Sequence, residues 1–167
     1  YGGAKCTSPW YIMTSPMNHD ETESFFQEKG FFGLEASQVK FFPQGTPPCM
    51  TPEGTMMLET GCKAGAASDG NGGIYGALRS KGCLADMESR GVKYIHTYAV
   101  DNAIVKVADP LFMGYCIKQG ADCGNKVVWK CSPDESVGVV AKRGGSSCVV
   151  EYSEMEKLFP GYSEKID

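Results

Sequence analysis

Asp69-Gly70-Asn71-Gly72-Gly73 runs straight into Ile74-Tyr75-Gly76-Ala77-Leu78. Glycines at 70, 72 and 73 let a backbone approach a flat or charged ligand, and they permit positive φ angles that other residues resist. The apolar periodicity that follows predicts a helix. A glycine-rich turn that opens a helix presents free N–H groups and a positive dipole end, suited to an anion or a polar ligand edge. The Asn71 carboxamide offers two donors and an acceptor, the equipment for a base or sugar edge. By itself the pattern also describes a plain structural turn.

Three further stretches carry usable groups. Val100-Asp101-Asn102 closes a β-type segment, and ligands of open α/β sheets sit beyond the carboxyl ends of strands. Asp101 with Asn102 is a hard-cation ligand pair for Mg²⁺, or simply a turn after a strand. Phe42-Pro43-Gln44-Gly45-Thr46-Pro47-Pro48 places Gln44 where its amide reads a base edge or stands exposed on a stiff loop. In Glu151-Tyr152-Ser153-Glu154 the Glu151 carboxylate accepts hydrogen bonds from sugar hydroxyls or an acetamido N–H, or else marks an acidic helix start. His19 falls in a polar loop, where solvation is expected, and His96 lies mid-strand between Tyr94 and Tyr98, where packing is expected. No Ser/His/Asp pattern, H-E-x-x-H helix or G-x-S-x-G elbow occurs, so hydrolases of those kinds are unsupported.

The elements that must position these groups follow from local pattern. Trp10-Tyr11-Ile12-Met13 predicts a strand, and Asp20-Glu21-Thr22-Glu23 a capping box opening a helix that stops at Gly30. Val39 to Phe42 predicts a second strand, 43–52 a loop, and Met56-Met57-Leu58 a short strand. Helices are expected over Gly73 to Ser80 and Cys83 to Arg90, joined at Gly82. Tyr94 to Val100 reads as a strand. Asp109-Pro110 caps a helix through Gln119. Asp122 to Trp129, Val137 to Lys142 and Ser147 to Tyr152 read as the last strands, hairpin-like near the end. Strands alternating with helices predict an α/β sheet. The Met50, Met56, Met57 group and the Phe25, Phe26, Phe31, Phe32 cluster read as core.

With 167 residues, 42% hydrophobic and 22% charged, the composition is globular and long enough for a real core. Net charge is −4 and no basic run occurs, against nucleic acid or an acidic membrane as main partner. No apolar run approaches the roughly 20 residues that span a bilayer. Cys6, Cys49, Cys62, Cys83, Cys116, Cys123, Cys131 and Cys148 are scattered, without a C-x-x-C pair, so reduced and mostly buried thiols are expected.

Taken together, the wording and order of eight segments are specific. Pro9 to Ser15, Phe41 to Gly45, Asp69 to Gly73, Val100 to Asn102, Val105 to Pro110, Gly120 to Gly124, Pro133 with Val137 to Val140, and Val149 to Glu154 resemble the eukaryotic UDP-N-acetylglucosamine pyrophosphorylases, up to about Met155. The resemblance implies a Rossmann-like nucleotide-diphospho-sugar transferase domain over 1–155, a mixed, mostly parallel sheet flanked by helices and incomplete at both ends. Residues 156–167 form an unmatched tail. It implies UTP, N-acetylglucosamine 1-phosphate and UDP-N-acetylglucosamine as ligands, Mg²⁺ or Mn²⁺ as cofactor, and a cytoplasmic setting. By position, Gln44 and Gly70 match uridine contacts, and Asn71 matches a sugar contact. Asp101 matches a position beside the ribose, the phosphates and the metal, while Glu151 and Tyr152 match a pair that recognises the N-acetylglucosamine moiety.

The family's G-G-x-G-T-R-L-G loop is not present, Tyr1-Gly2-Gly3 being its nearest echo, and Lys106 is nearly the sole cation among the motifs. The expectation is therefore an internal piece of a larger enzyme, inactive or nearly so alone. Two alternatives stay open: a UDP-sugar pyrophosphorylase for glucose or galactose 1-phosphate, and a non-catalytic module that self-associates through exposed sheet edges.

Overall fold

In the computed structural model β1, Trp10–Thr14, pairs in parallel with β2, Val39–Pro43, in a register running from Trp10↔Val39 to Thr14↔Pro43. The structure describes residues 7–132, 135–158 and 160. Cys6, Tyr1-Gly2-Gly3, Pro133 and 161–167 of the expected tail lie outside the described residues. The chain divides into two units between Thr97 and Tyr98.

In the first unit, α1 (His19–Glu28) is the crossover that parallel strands require. It starts one residue before the expected capping box. Asn18 occupies the cap position, but its side-chain oxygen is turned back onto the Ser15 N–H at 2.8 Å, so no side chain caps the helix. Asp20 and Glu21 therefore act only as first-turn charges on the positive helix end. His19 is not the solvated loop residue expected: its Nδ1 lies 2.7 Å from the buried Thr14 hydroxyl at the end of β1. After α1 comes the turn Gly30–Gly33, with Phe31 and Phe32 at φ 50° and 54°, in the left-handed region. A single turn of 3-10 helix, Ala36–Gln38, leads into β2.

The period of two along β2 sends consecutive phenylalanines to opposite faces. Phe41 stacks edge-on against Phe26 of α1 at 5.0 Å. Phe42, 1% exposed, packs with Ala77 and Leu78 of α2 (Gly73–Ser80) and with Cys83 and Met87 of α3 (Cys83–Ser89). Burying such a ring contributes about 1.5–3 kcal/mol. The parallel pair is thus sandwiched between α1 on one face and α2 with α3 on the other, which is Rossmann-like layering. Tyr11 donates to Asp86 of α3, and Arg90, just beyond α3, donates to the same carboxylate at 3.0 Å.

Between β2 and α2 lies a small antiparallel pair, β3 (Leu58–Thr60) with β4 (Lys63–Ala64), extended by isolated bridges Pro48↔Ala66 and Met50↔Met56. The strand expected at Met56 thus begins two residues later. Met50, Met56 and Met57 are half exposed rather than core. Phe25 and Phe32 are likewise half exposed, forming an aromatic stack on the outside of α1 rather than a sealed core.

In the second unit, α4 (Pro110–Lys118) opens as expected, with the Asp109 carboxylate accepting from the Leu111 N–H at 3.1 Å. β5 (Val139–Arg143) and β6 (Ser146–Val150) make a hairpin around Gly144-Gly145, both at positive φ, the two-residue loop whose twist suits adjacent strands. β6 hands over directly to α5 (Tyr152–Leu158), which buries Met155. Two expected strands do not form: 94–100 and 122–129 belong to no ladder among the described residues. Their β-type composition is real, but a strand exists only by its partner. Val127, Val128 and Trp129 are accordingly exposed. The described residues form a mixed α/β structure, with one parallel and two antiparallel ladders among them.

Candidate ligand site

Gln44 leaves β2 with its N–H donating to the Thr14 carbonyl at 2.8 Å, which continues the β1–β2 ladder by one step. Its side-chain Oε1 is buried and has no hydrogen-bond partner among the described residues. A buried acceptor left unpaired costs about 1–3 kcal/mol, so the position calls for a donor from elsewhere. One residue on, the Gly45 carbonyl accepts from the Asp69 N–H at 3.2 Å. That bond draws the glycine-rich loop against the end of β2.

Within the loop, Gly70 adopts φ 74°, the conformation that made its glycines informative. The Gly73 N–H donates to the Gly70 carbonyl at 3.1 Å and the Ile74 N–H to the Asn71 carbonyl at 3.3 Å, and α2 begins at Gly73 as expected. The Asn71 side chain is exposed, and no hydrogen bond engages it among the described residues. Gln44, Gly70 and Asn71 are therefore brought together in one place by local structure. The groups they present are neutral: two carboxamides and backbone at a glycine. Such groups recognise the edge of a base or sugar by hydrogen bonding.

Asp101, Glu151 and Tyr152 belong to the second unit. Asp101 sits in a tight turn, its carbonyl accepting from the Ala103 N–H at 3.0 Å and the neighbouring Asn102 N–H donating to Ala99 at 3.2 Å. The turn reading of this dipeptide is what its backbone does. Its exposed carboxylate accepts no hydrogen bond among the described residues and stays available. Glu151 stands at the junction of β6 and α5, so an acidic helix start does occur there. Gly138, which precedes β5, lies close beneath it: a Cβ at 138 would come within 3.7 Å of Glu151 Oε1 and 2.8 Å of Val149 Cγ1. Tyr152, half exposed, is the first residue of α5.

No group of three His, Cys, Asp or Glu side chains clusters to hold a metal among the described residues. Asp101 fits Mg²⁺ in another way, as one available carboxylate. Mg²⁺ commonly takes one or two protein carboxylates and fills its shell with phosphate and water oxygens. Asp109 is differently employed. The hydrogen bond from Lys126 Nζ, 2.6 Å away, holds its carboxyl below the usual range, helped by the Leu111 N–H. The seven described cysteines are free thiols, but only Cys83 is buried, while Cys62, Cys123 and Cys131 are exposed. The expectation of mostly buried thiols is corrected: these three lie outside the small core formed by Phe42 and its neighbours.

Two residues the sequence did not flag support the ligand loops. They are Asp69, within the glycine-rich motif, and Gly45, within the proline-rich loop. Their contact joins positions 24 residues apart, which no local pattern announces.

Residues 2–160 match the family model described as UTP–glucose-1-phosphate uridylyltransferase. Together with the sandwiched parallel pair and its strand-end loops, this defines a nucleotidyltransferase fold, and the chain belongs to the UTP–glucose-1-phosphate uridylyltransferase family. It is 50% identical over 153 residues to UDP-N-acetylglucosamine diphosphorylase 2 of Arabidopsis thaliana, covering 90% of this chain and 30% of that protein. Against UDP-N-acetylhexosamine pyrophosphorylase-like protein 1 of Homo sapiens it is 50% identical over 153 residues, covering 92% and 30%. The crystal structure of the uridine diphosphate N-acetylglucosamine pyrophosphorylase from Trypanosoma brucei, in complex with an inhibitor, superposes with a TM-score of 0.87 at 35% identity. That match covers 99% of this chain and 33% of the solved one. The resemblance read from eight segments thus holds across nearly the whole chain, and the chain spans about 30% of the length of these curated relatives. No helix among the described residues is long and apolar enough to cross a membrane.

Proposed function

We propose that this chain is the uracil- and sugar-recognising part of a longer uridylyltransferase, which makes UDP-N-acetylglucosamine and pyrophosphate from UTP and N-acetylglucosamine 1-phosphate. The observation that carries the reading is the buried, unpartnered Gln44 Oε1 beside the Gly70–Asn71 loop. Uracil presents an imide N–H between two carbonyls, and that donor completes the orphaned acceptor while the Gly70 backbone makes room for the ring. Asn71 takes sugar hydroxyls. Glu151 and Tyr152 take the acetamido group and the ring of the N-acetylated sugar.

In the reaction a phosphate oxygen of the sugar phosphate attacks the α-phosphorus of UTP. The new oxygen–phosphorus bond forms as the bond to the β-phosphate oxygen breaks, and pyrophosphate carries away that electron pair. Positioning supplies much of such a rate enhancement. Asp101 would hold Mg²⁺ or Mn²⁺, which when bound would neutralise charge on the phosphates. The residues of this chain bind and orient the neutral ends of both substrates, and Asp101 marks where ribose and phosphates meet. Asp69, Asp101 and Glu151 add negative charge, so a triphosphate needs cations from outside these motifs. Free thiols on the surface suit a cytoplasmic setting.

The relatives named for N-acetylated sugars favour that sugar over glucose or galactose 1-phosphate, as does the Glu151–Tyr152 pair. Calorimetric titration of this chain with UDP-N-acetylglucosamine, with and without Mg²⁺, tests the binding role. Metal-enhanced binding is expected, together with no pyrophosphate release from UTP and sugar phosphate. Absence of binding in both conditions, or robust turnover by this chain alone, would overturn the reading.

A further inference from the structure

The solvent-exposed Asp69 side chain lies against two glycines from different elements. A Cβ at Gly73, the first residue of α2, would fall 2.8 Å from Asp69 Oδ2 and 2.8 Å from its Cβ. A Cβ at Gly45, just past β2, would fall 3.2 Å from the same Oδ2. The first distance is closer than real Cβ atoms come, so Gly73 is glycine to admit this carboxylate, although its φ is not left-handed. On the main chain the Asp69 N–H donates to the Gly45 carbonyl at 3.2 Å. One residue therefore touches the strand end that carries Gln44 and the helix start that carries the Gly70–Asn71 loop.

We infer that Asp69 is a positioning residue: it clamps the Gln44–Gly45 strand end to the glycine loop and so fixes the spacing between the base-reading amide and the sugar-reading amide. The inference rests on the proposed ligand and adds the residue that sets its geometry. A ligand held at two points loses affinity steeply when their separation drifts, since the cost of ordering them returns to the binding step. Asn at 69 keeps the shape of the side chain. Ala removes the carboxylate from beside Gly45 and Gly73 while leaving the main-chain bond to Gly45 in place. Asp86 provides a contrast in the same unit, since its hydrogen bonds run to Tyr11 of β1 and to Arg90, and its ion pair to Lys40 within β2.

The test compares D69A, D69N and D86A in this chain, titrated calorimetrically with UDP-N-acetylglucosamine alongside thermal melts. D69A is expected to weaken binding about ten-fold or more, and D69N to stay within about three-fold of the parent. D86A is expected to lower the melting temperature while its affinity stays within about three-fold. Unchanged affinity in D69A, or equal affinity losses in D69A and D86A, overturns the clamp. If the parent chain fails to bind, the proposed ligand is wrong and the clamp is read without it. G73A then lowers the melting temperature in the parent but is neutral or stabilising on the D69A background. Equal losses in the two backgrounds overturn the clamp by that route.

Discussion

The Tyr11 hydroxyl donates to the Asp86 carboxylate across 2.5 Å, tying β1 to α3 over 75 residues of sequence. Burial and then this hydrogen bond raise the Tyr11 pKa to about 12, while the same bond, with Arg90 beside it, lowers that of Asp86. The two groups bracket a pH window. Asp86, depressed in the folded chain, contributes stability that is present above its unfolded value near about 4 and is lost as pH falls through the folded one. Tyr11, raised in the folded chain, contributes stability that is complete below about 10 and is lost as pH climbs toward its folded value. Melting temperature against pH should therefore show a plateau with an acid and an alkaline arm. Y11F should lower the plateau and flatten the alkaline arm; an unchanged arm counts against the pairing.

Replacing Gln44 with Met keeps the length of the side chain and deletes the unpaired buried acceptor. The free chain should become more stable by about 1 kcal/mol, because nothing is lost in exchange. Affinity for UDP-N-acetylglucosamine should fall about ten-fold or more at the same time. Thermal melts and titrations on one preparation read both. A loss of stability would mean that the amide is satisfied in solution and waits for no ligand donor.

Gly70 sits at φ 74°, where a Cβ is resisted even though no atom crowds that side of the residue. G70A should cost about 1–2 kcal/mol through the backbone alone. Denaturant titration measures it. An equal cost for Ala at Gly76, inside α2 with open space around it, would show that crowding or composition, not φ, sets the penalty.

Asp109 caps α4 and pairs with Lys126. D109N keeps the oxygen that accepts from Leu111 and removes the charge, so α4 should persist while the acid-side loss of stability shrinks. The sign follows from a folded pKa held below the ordinary one: the stabilisation exists above about 4 and disappears as pH falls. D109A should fray the first turn, visible as faster amide exchange at Leu111. Identical behaviour of the two variants would remove the cap from the account.

What could be read from sequence was what short-range chemistry decides. Asp109-Pro110 announced α4, Gly82 separated two helices, and Gly70 to Gly73 opened a third, because caps and φ preferences act over a few residues. The same local logic misplaced the start of α1, since Asn18 spent its side chain on Ser15 and not on the helix. Segments 94–100 and 122–129 have strand-like residues, but ladders depend on distant partners that composition does not encode. At the site, Gln44, Gly70 and Asn71 were legible one by one. Their assembly was not, because it runs through Asp69 and Gly45, a contact between residues with no shared pattern.

The turn at Gly30–Gly33 has one more consequence. Holding Phe31 and Phe32 in the left-handed region costs about 1–2 kcal/mol at each residue. Phe32 recovers part of this through rings of α1, Phe26 at 5.0 Å and Phe25 at 5.9 Å, contacts worth about 0.5–1.5 kcal/mol each. The debt and its repayment lie on different elements, so neither position is free to drift alone. A lineage that loses the ring at 26 should soon gain glycine or asparagine at 31 or 32, and one that relaxes the turn should tolerate smaller residues at 25 and 26. The mirror-handed turn thus leaves a paired evolutionary signature, to be sought among divergent members of the family.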